Sequence, residues 1–278
     1  MKLPRWPVFL LPTLLFCTAL ADGYRPSQAV FPKISLNTSL LRIGLPHVTI
    51  APSVTVADQN YFYPAYLDAR FSPSLLLPVS DVAKNKFGRS PGVVMQVHSV
   101  AALLALPDSG RGPEIKGEIE TLRAINAGTL NPATLIPPGG QPALRPFRAL
   151  PSLFNPSEFQ WAAGAVRRMT LPGGLRGVRY LVIRAGDTGY LPAEMTEYTF
   201  QGLSADGRFY VTLTMPYMLT GVLSEAQISK TFTKAQLQTS DETTYNAYAL
   251  NVERKMDADT QAPKILLLDA LVNSIRLR

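Results

Sequence analysis

One segment in the second half of the chain limits the possible folds more than any other, because its pattern is that of a complete β-hairpin. Residues 196–203 and 208–215 are rich in β-branched and aromatic side chains, which favour strands. Asp206 and Gly207 lie between them and are a typical hairpin turn pair. The second segment alternates two sets of side chains, Phe209, Val211, Leu213 and Met215 with Tyr210, Thr212 and Thr214. This alternation predicts a strand with one buried face and one solvated face.

Other segments predict further strands and three helices around this hairpin. The strands are 34–45, 48–56, 66–76, 93–100, 159–169 and 175–185, with a short one at 274–277. The helices are 113–127, 263–272 and one that begins after Ser240, with Tyr245, Tyr248, Val252 and Met256 on its buried face. A proline-rich connection, 128–157, joins the two halves of the chain. Together these segments indicate an α+β fold, an antiparallel β-sheet with packed helices and C-terminal helices.

The first 21 residues predict a cleavable export signal. Lys2 and Arg5 precede an apolar run at 8–20, and the run ends in the small-residue cleavage site Ala19-Leu20-Ala21. A membrane span needs about 20 apolar residues, whereas this run is shorter and contains a proline. We therefore expect residues 22–278 to form a single exported α+β domain without a transmembrane span.

N-terminal sequencing of the exported protein is expected to read Asp-Gly-Tyr-Arg, because cleavage after Ala21 leaves Asp22 as the first residue. The alternative is a lipoprotein that is cut before Cys17. Lipidated cysteines usually follow a small residue, whereas Phe16 precedes this one. A mature chain that begins with a lipidated Cys17 would contradict the prediction.

Removal of the signal takes away the only cysteine and two basic residues, Lys2 and Arg5. Cys17 is the only cysteine, so the exported protein has neither a disulfide nor a thiol. It keeps 25 basic and 20 acidic residues, a net charge of +5, within about 257 residues. A chain of this length buries a substantial core without cross-links. Its basic residues are scattered rather than clustered, which argues against nucleic-acid binding.

The hairpin segment also resembles a known family. The sequence Tyr198-Thr-Phe-Gln-Gly-Leu-Ser-Ala-Asp-Gly-Arg-Phe-Tyr-Val211 resembles the hallmark of a family of exported bacterial proteins. Upstream, Gly177-Val-Arg-Tyr-Leu181 is similar to a second hallmark, and the resemblance covers residues 159–216. The activity of that family is uncharacterised, so the resemblance implies export and assigns no functional residues. The closing helix with Ser274-Ile-Arg276 is similar to the end of PsbP/Mog1-type domains, which are binding or assembly modules.

Gln201, Arg208 and Tyr210 within the hallmark are the candidate binding surface. Packing alone explains much of the hallmark, because the Asp-Gly pair makes the turn, Gly202 allows close approach and the aromatic residues fill the sheet face. The alternative to a purely structural role is that the three polar side chains form part of a recognition surface.

The catalytic and metal-binding motifs that the sequence suggests each lack a group that the chemistry needs. Residues 88–92 match the G-x-S-x-G pattern of serine hydrolases, but Pro91 lacks the backbone N–H that the residue after the nucleophile donates to the oxyanion. His47 and His98 are the only histidines, so no histidine lies late in the chain where a hydrolase needs one. A zinc site would have to be completed by carboxylates, and nucleotide-binding loops are absent from the sequence. We expect no catalytic triad, no metal and no cofactor.

Three carboxylates leave a second interpretation open. Glycosidases use two carboxylates, and Asp187, Glu194 and Glu197 lie close together before and at the start of the hairpin. Spacing in sequence does not set the distance between carboxyl groups, and a solvated loop end explains the same residues. The aromatic cluster at 61–66 is able to stack on sugar rings, although we favour a role in the core.

Two functions from different classes follow. The first is a non-enzymatic binding or assembly module, exported to the periplasm, the cell envelope or the medium, whose partner is an envelope protein or polymer. The second is an exported, glycan-directed hydrolase that uses Asp187, Glu194 or Glu197. A cleft that holds two of these carboxylates about 5–10 Å apart would favour the hydrolase.

Overall fold

The computed structural model describes residues 32, 34–35, 55–57, 66–71, 93–106, 112–136, 149–153, 159–185, 190–232 and 242–277. Several features singled out above lie outside the described residues: the export signal, His47, residues 61–65, the serine motif at 88–92 and Asp187. The described segments contain the whole predicted hairpin and both C-terminal helices.

The described strands form two antiparallel sheets. Their bounds are β1 (Ile34–Ser35), β2 (Thr55–Ala57), β3 (Tyr66–Phe71), β4 (Val93–Ser99), β5 (Phe159–Thr170), β6 (Arg176–Ala185), β7 (Thr196–Leu203), β8 (Phe209–Pro216) and β9 (Arg276–Leu277). Seven of them form one sheet in the order β2-β3-β4-β8-β7-β6-β5, and β1 pairs with β9. All of these neighbours run antiparallel, which confirms the predicted sheet type.

Helices follow the strands at intervals along the described chain. They are α1 (Val100–Leu104), α2 (Gly112–Ala127), α3 (Glu225–Thr231), α4 (Glu242–Ala258) and α5 (Pro263–Asn273). Short 3-10 turns lie at Pro132–Leu135, Ala193–Met195 and Asp259–Gln261. The predicted α+β class, with its C-terminal helices, is confirmed. None of the described helices is long and apolar enough to cross a lipid bilayer.

Helices cover the large sheet on both faces, and each face carries its own hydrophobic core. On the face that we call the α2 face, α1 and α2 pack against Val178, Tyr180, Val182, Leu203 and Tyr210. On the opposite face, the α4–α5 face, α4 and α5 pack against Leu181, Ile183, Tyr198, Phe200, Leu213 and their neighbours. Because successive side chains of a strand point to opposite faces, alternate positions of one strand supply the two cores.

The predicted hairpin is confirmed and lies inside the seven-stranded sheet. Its strands are β7 and β8, and Gly207 in the turn has a φ of +70°, a conformation that glycine adopts without strain. Tyr198 and Phe200 share the α4–α5 face and are fully buried, as their spacing predicts. The hairpin therefore contributes to both cores.

The predicted solvated face of β8 is wrong. Tyr210 and Thr212 are buried, and only Thr214 of that set is partly exposed. The physical reason is that α2 packs on this face and Tyr210 joins its core. Alternation in β8 thus separates an apolar core from a second, more polar buried layer.

Two hallmark glycines are explained by a close approach of backbones. Gly177 on β6 lies directly opposite Gly202 on β7. A Cβ atom on Gly177 would collide with the backbone of Gln201, and one on Gly202 would lie 2.6 Å from Cζ of Phe200. A side chain at either position would separate the strands or displace the phenyl ring.

Two helices, α1 and α3, and the three 3-10 turns do not follow from the sequence patterns above. The side chain of Ser99 caps α1, and a capping box of Ser224 and Gln227 begins α3. Within the proline-rich connection, Asn131 caps the 3-10 turn Pro132–Leu135. Leu150 and Leu153 from the same connection are buried in the core of the α2 face.

Candidate functional site

The three residues of the predicted binding surface do not form one surface. Gln201 and Tyr210 are fully buried on the α2 face, because both occupy strand positions that point toward α2. Arg208 lies in the turn with its side chain 74% exposed, and it forms an ion pair with Asp206. The prediction that all three face a partner from the surface is therefore wrong, although Gln201 and Tyr210 do share a sheet face.

Gln201 belongs instead to a group of amide and hydroxyl side chains that crosses three adjacent strands. We call this group the polar strip; its members are Gln96 on β4, Thr212 and Thr214 on β8, and Thr199 and Gln201 on β7. Gln96, Thr212 and Gln201 lie opposite one another in register, and so do Thr214 and Thr199. Residues directly opposite across antiparallel strands point to the same face. The strip therefore interrupts the apolar surface of the α2 face.

A short chain of hydrogen bonds runs along the strip and stops at Gln201. The side-chain amide of Gln201 donates to the hydroxyl of Thr199 at 2.9 Å, and that hydroxyl lies 3.4 Å from the hydroxyl of Thr214. The other terminal atom of the amide, Oε1, is buried and has no hydrogen-bond partner in the described structure. If the amide is rotated by half a turn, Nε2 takes that place, so one end of the amide is unpaired in either orientation.

Exposure changes across the strip. Gln201, Thr199 and Thr212 are buried, whereas Thr214 and Gln96 are partly exposed. The unpaired end of Gln201 thus lies at the deep side of a polar layer whose outer members meet solvent.

The histidine that the sequence placed in a strand lies beside the strip. His98 on β4 is opposite Tyr210 on β8, and this pair lies two residues along the strands from the pair Gln96 and Thr212. Complete burial lowers the pKa of His98 to about 3, so the imidazole is neutral at physiological pH. His98 therefore adds no charge to this part of the sheet.

At the β7 end of the strip, on the side away from β4, lies a buried ion pair. Arg184 on β6 forms an ion pair with Glu197 on β7, and its Nη2 donates to Ser152 Oγ at 3.2 Å. Nearby, the hydroxyl of Tyr180 donates to the carbonyl of Pro151 at 2.7 Å. These contacts fix the segment around Ser152 against the sheet, and the two opposite charges neutralise each other.

The α4–α5 face holds a second polar group, centred on the carboxylate of Asp269 in α5. Arg179 Nε donates to its Oδ1 at 3.0 Å, the hydroxyl of Tyr198 donates to the same atom at 2.8 Å, and Arg167 Nη1 lies 3.4 Å from Oδ2. Burial, followed by the nearby Asp269 charge, raises the pKa of Tyr198 well above its usual value, so the hydroxyl keeps its proton. This group joins α5 to β6 and β7, and its hydrogen-bonding pattern is that of a structural connection.

A bulge in β5 completes that connection. Ala165 has a φ of +53°, which is uncommon for a residue with a side chain. Its N–H donates to Asp257 Oδ1 of α4 at 2.7 Å, and its carbonyl accepts a hydrogen bond from Arg179. The irregular backbone is thus held from both sides by charged groups, the exposed Asp257 and the buried Arg179.

Three carboxylates suggest a glycan-directed hydrolase. The two of them that the structure describes have structural partners. Glu194 accepts hydrogen bonds from the backbone N–H of Glu225 at the start of α3, at 3.2 and 3.4 Å. Glu197 forms the ion pair with Arg184. Asp187 lies outside the described residues. Of the two carboxylates that are described, one caps a helix and the other neutralises a buried arginine.

The described residues contain no cluster of three or more His, Cys, Asp or Glu side chains that could hold a metal ion. The polar strip itself offers amide and hydroxyl groups, which bind ligands by hydrogen bonds and do not act as strong bases or nucleophiles without a partner base. What the strip is able to do chemically is therefore to bind and orient an uncharged polar group.

Comparison with family models, with curated proteins and with solved structures found no match for this chain. The resemblance of the hallmark to an exported family therefore stays a prediction.

Gln201 is the one member of the polar strip that the sequence predicts as a binding residue. The alternation in β8 predicts a solvated face for Thr212 and Thr214, and no motif points to Thr199 or Gln96. The available signal was the recurrence of amide and hydroxyl side chains at every second residue of 199–201 and 212–214. It becomes informative only once β7 and β8 are known to be covered on both faces.

Proposed function

We propose that this protein is an exported, non-enzymatic binding or assembly module, acting in the periplasm, the cell envelope or the medium. We further propose that its partner meets the polar strip from the partly exposed side, at Gln96 and Thr214, and supplies a group to the buried amide of Gln201. The observation that carries the proposal is the unpaired, buried amide of Gln201 within a layer of hydroxyl groups. The export signal at residues 1–21 supports the location.

Burial of polar groups without partners opposes folding. An unpaired buried donor or acceptor costs about 1–3 kcal/mol, and most buried polar groups in proteins are hydrogen-bonded. Apolar side chains at the positions of the strip would extend the core of the α2 face at no such cost. Retention of an unsatisfied amide there is what we expect of a site that receives its missing partner from a ligand.

The geometry gives the hydrolase less support. Glu194 and Glu197 both have structural hydrogen bonds or ion pairs, whereas a glycosidase needs one carboxylate free to donate a proton and a second beside the scissile bond. A binding role requires neither, and amide and hydroxyl groups are sufficient for it.

Gln201→Met is expected to leave the free energy of unfolding unchanged or to raise it by about 1 kcal/mol, because methionine has a similar shape and no unpaired polar atom. Urea unfolding of the variant beside the parent protein measures this effect. Gln261→Met, at an exposed position, is the matched control and should leave the midpoint unchanged. A loss of several kcal/mol in Gln201→Met would show that the amide has a structural role.

The same two variants test the proposed function. Affinity capture of an envelope extract with the parent and with Gln261→Met should recover the same stoichiometric partner or polymer, and Gln201→Met should recover much less of it. Equal recovery by a stable Gln201→Met protein would place the binding surface elsewhere and would contradict the proposal.

A further inference from the structure

We propose that Asp206-Gly207, in the turn between β7 and β8, is a latent site of isoaspartate formation that Ser204 and Arg208 keep unreacted in the folded hairpin. In an Asp-Gly pair, the backbone nitrogen of the glycine is able to attack the carboxyl group before it, and glycine has no side chain to hinder ring closure. The proposal is independent of the polar strip. It gives the exposed Arg208 a role other than the predicted contact with a partner.

The reaction consists of a ring closure and a hydrolysis. The nitrogen of Gly207 forms a bond to Cγ of Asp206, and the carboxyl hydroxyl group leaves as water with the N–H proton. The product is a five-membered succinimide. Water then opens the ring: addition at Cγ restores aspartate, and addition at the main-chain carbonyl carbon gives isoaspartate, whose chain runs through Cβ and Cγ. Water is released in the first step and taken up in the second, so the composition of the chain does not change.

The surroundings of the pair do not prevent this reaction. The side chain of Asp206 is 45% exposed, so water reaches it. A Cβ atom built on Gly207 meets no atom of the described structure within 4 Å, so the space around the attacking residue is open as well. Protection therefore has to come from hydrogen bonds to the two reacting groups.

Three hydrogen bonds hold the carboxyl group of Asp206 in its ionised form. Ser204 Oγ donates to Oδ1 at 2.6 Å, the backbone N–H of Arg208 donates to the same oxygen at 3.1 Å, and Arg208 Nε donates to Oδ2 at 2.5 Å. The bond from Ser204, followed by those from Arg208, lowers the pKa of Asp206 from 3.8 to about 2. Ring closure expels the carboxyl hydroxyl group and therefore needs the neutral acid. A pKa that is lower by one unit makes this acid about tenfold rarer at neutral pH.

The attacking nitrogen is engaged by a hydrogen bond as well. The N–H of Gly207 donates to the carbonyl of Ser204 at 2.8 Å, and the N–H of Ser204 donates to the carbonyl of Phe209 at 2.9 Å. In return, the N–H of Phe209 donates to Ser204 Oγ at 2.9 Å. To close the ring, the nitrogen of Gly207 has to lose its proton, which breaks the first of these bonds. Ser204 thus restrains both the carboxyl group and the nitrogen.

The position of the pair gives the reaction a structural effect. Isoaspartate adds one atom to the backbone of the turn, between Leu203 and Tyr210, which lie opposite one another in the hairpin. Both side chains are buried in the core of the α2 face. The longer turn no longer fits this register, and register fixes which side chains enter the core. We therefore expect isoaspartate at residue 206 to weaken the packing of α2 on the sheet.

Incubation of the exported protein at neutral pH, followed by peptide mapping that separates isoaspartate from aspartate, tests the proposal. Mapping also distinguishes this site from the other Asp-Gly pair of the chain, at 22–23. A synthetic peptide of residues 202–210 is too short to hold the hairpin and serves as the unfolded reference. It should form isoaspartate at least about tenfold faster than the folded protein, because its carboxyl group has the ordinary pKa. Arg208→Ala and Ser204→Ala should react several times faster than the parent. Arg254→Ala, which removes an exposed arginine from α4, should react at the parent rate.

Low concentrations of urea separate a loss of protection within the native turn from unfolding of the variants. Reaction through the unfolded chain accelerates with urea as the unfolded fraction grows. Reaction in the native turn stays nearly constant, and we expect this constant rate for Arg208→Ala and Ser204→Ala. A folded parent that reacts as fast as the peptide, an unreactive peptide, or variants as slow as the parent would overturn the proposal. So would a faster reaction of the variants that rises with urea, because it would assign the protection to folding alone.

Discussion

Asp269→Ala is expected to lower the free energy of unfolding by about 3–5 kcal/mol, because it leaves the charge of Arg179 buried without a counter-ion. Arg179 is fully buried on β6, and Asp269 accepts two hydrogen bonds from it. Tyr198 loses its acceptor in the same variant. The loss is a large part of a typical domain stability of about 5–15 kcal/mol. Urea unfolding followed by circular dichroism measures it.

Two controls separate this effect from a general effect of losing a carboxylate. Glu120→Ala removes an exposed carboxylate from α2 and should shift the midpoint little. Arg179→Met combined with Asp269→Leu removes both charges, and it should recover a substantial part of the loss, because apolar replacements of a buried ion pair are often nearly neutral. An Asp269→Ala protein that unfolds at the midpoint of the parent would show that the ion pair is not formed in solution.

Phe200→Ala is expected to cost about 3–5 kcal/mol, the usual effect of removing a buried aromatic ring. Phe200 is fully buried in the core of the α4–α5 face, and its ring covers Gly202. Phe209 on the adjacent strand is only partly buried, so Phe209→Ala is the matched control and should cost clearly less. Equal midpoints for the two variants in urea would contradict the assignment of Phe200 to the core.

Much of the sheet could be predicted because hydrophobic periodicity determines it locally. In β8, every second residue is apolar, and the Asp-Gly turn fixes the partner strand, so the hairpin follows from adjacent residues alone. Helix α5 follows from its proline start and its apolar run. Helices α1 and α3 have five and seven residues, which is too short for a helical period to stand out. Their signals were the caps at Ser99 and Ser224.

The candidate site was predictable only in part, because burial is a property of the whole fold. Threonine occurs on solvated strand faces and on covered ones, so Thr212 and Thr214 could not reveal that the α2 face is covered. Asp269 did carry a usable signal, because a single carboxylate within the apolar run of α5 needs a partner if the helix is buried. The identity of that partner, Arg179, depends on a contact between segments far apart in sequence.

The bulge at Ala165 has a consequence for how copies of this protein behave at high concentration. Of the strands that the structure describes, β5 is the last one of the large sheet on its side, and such a strand is a template for intermolecular pairing and aggregation. Here the register shifts between Gly164 and Arg167, and the N–H of Ala165 is taken by Asp257. Gly164 also lies so close to α4 that an added Cβ would be 2.7 Å from Cβ of Met256. At this bulge, β5 is therefore protected against strand addition by another molecule.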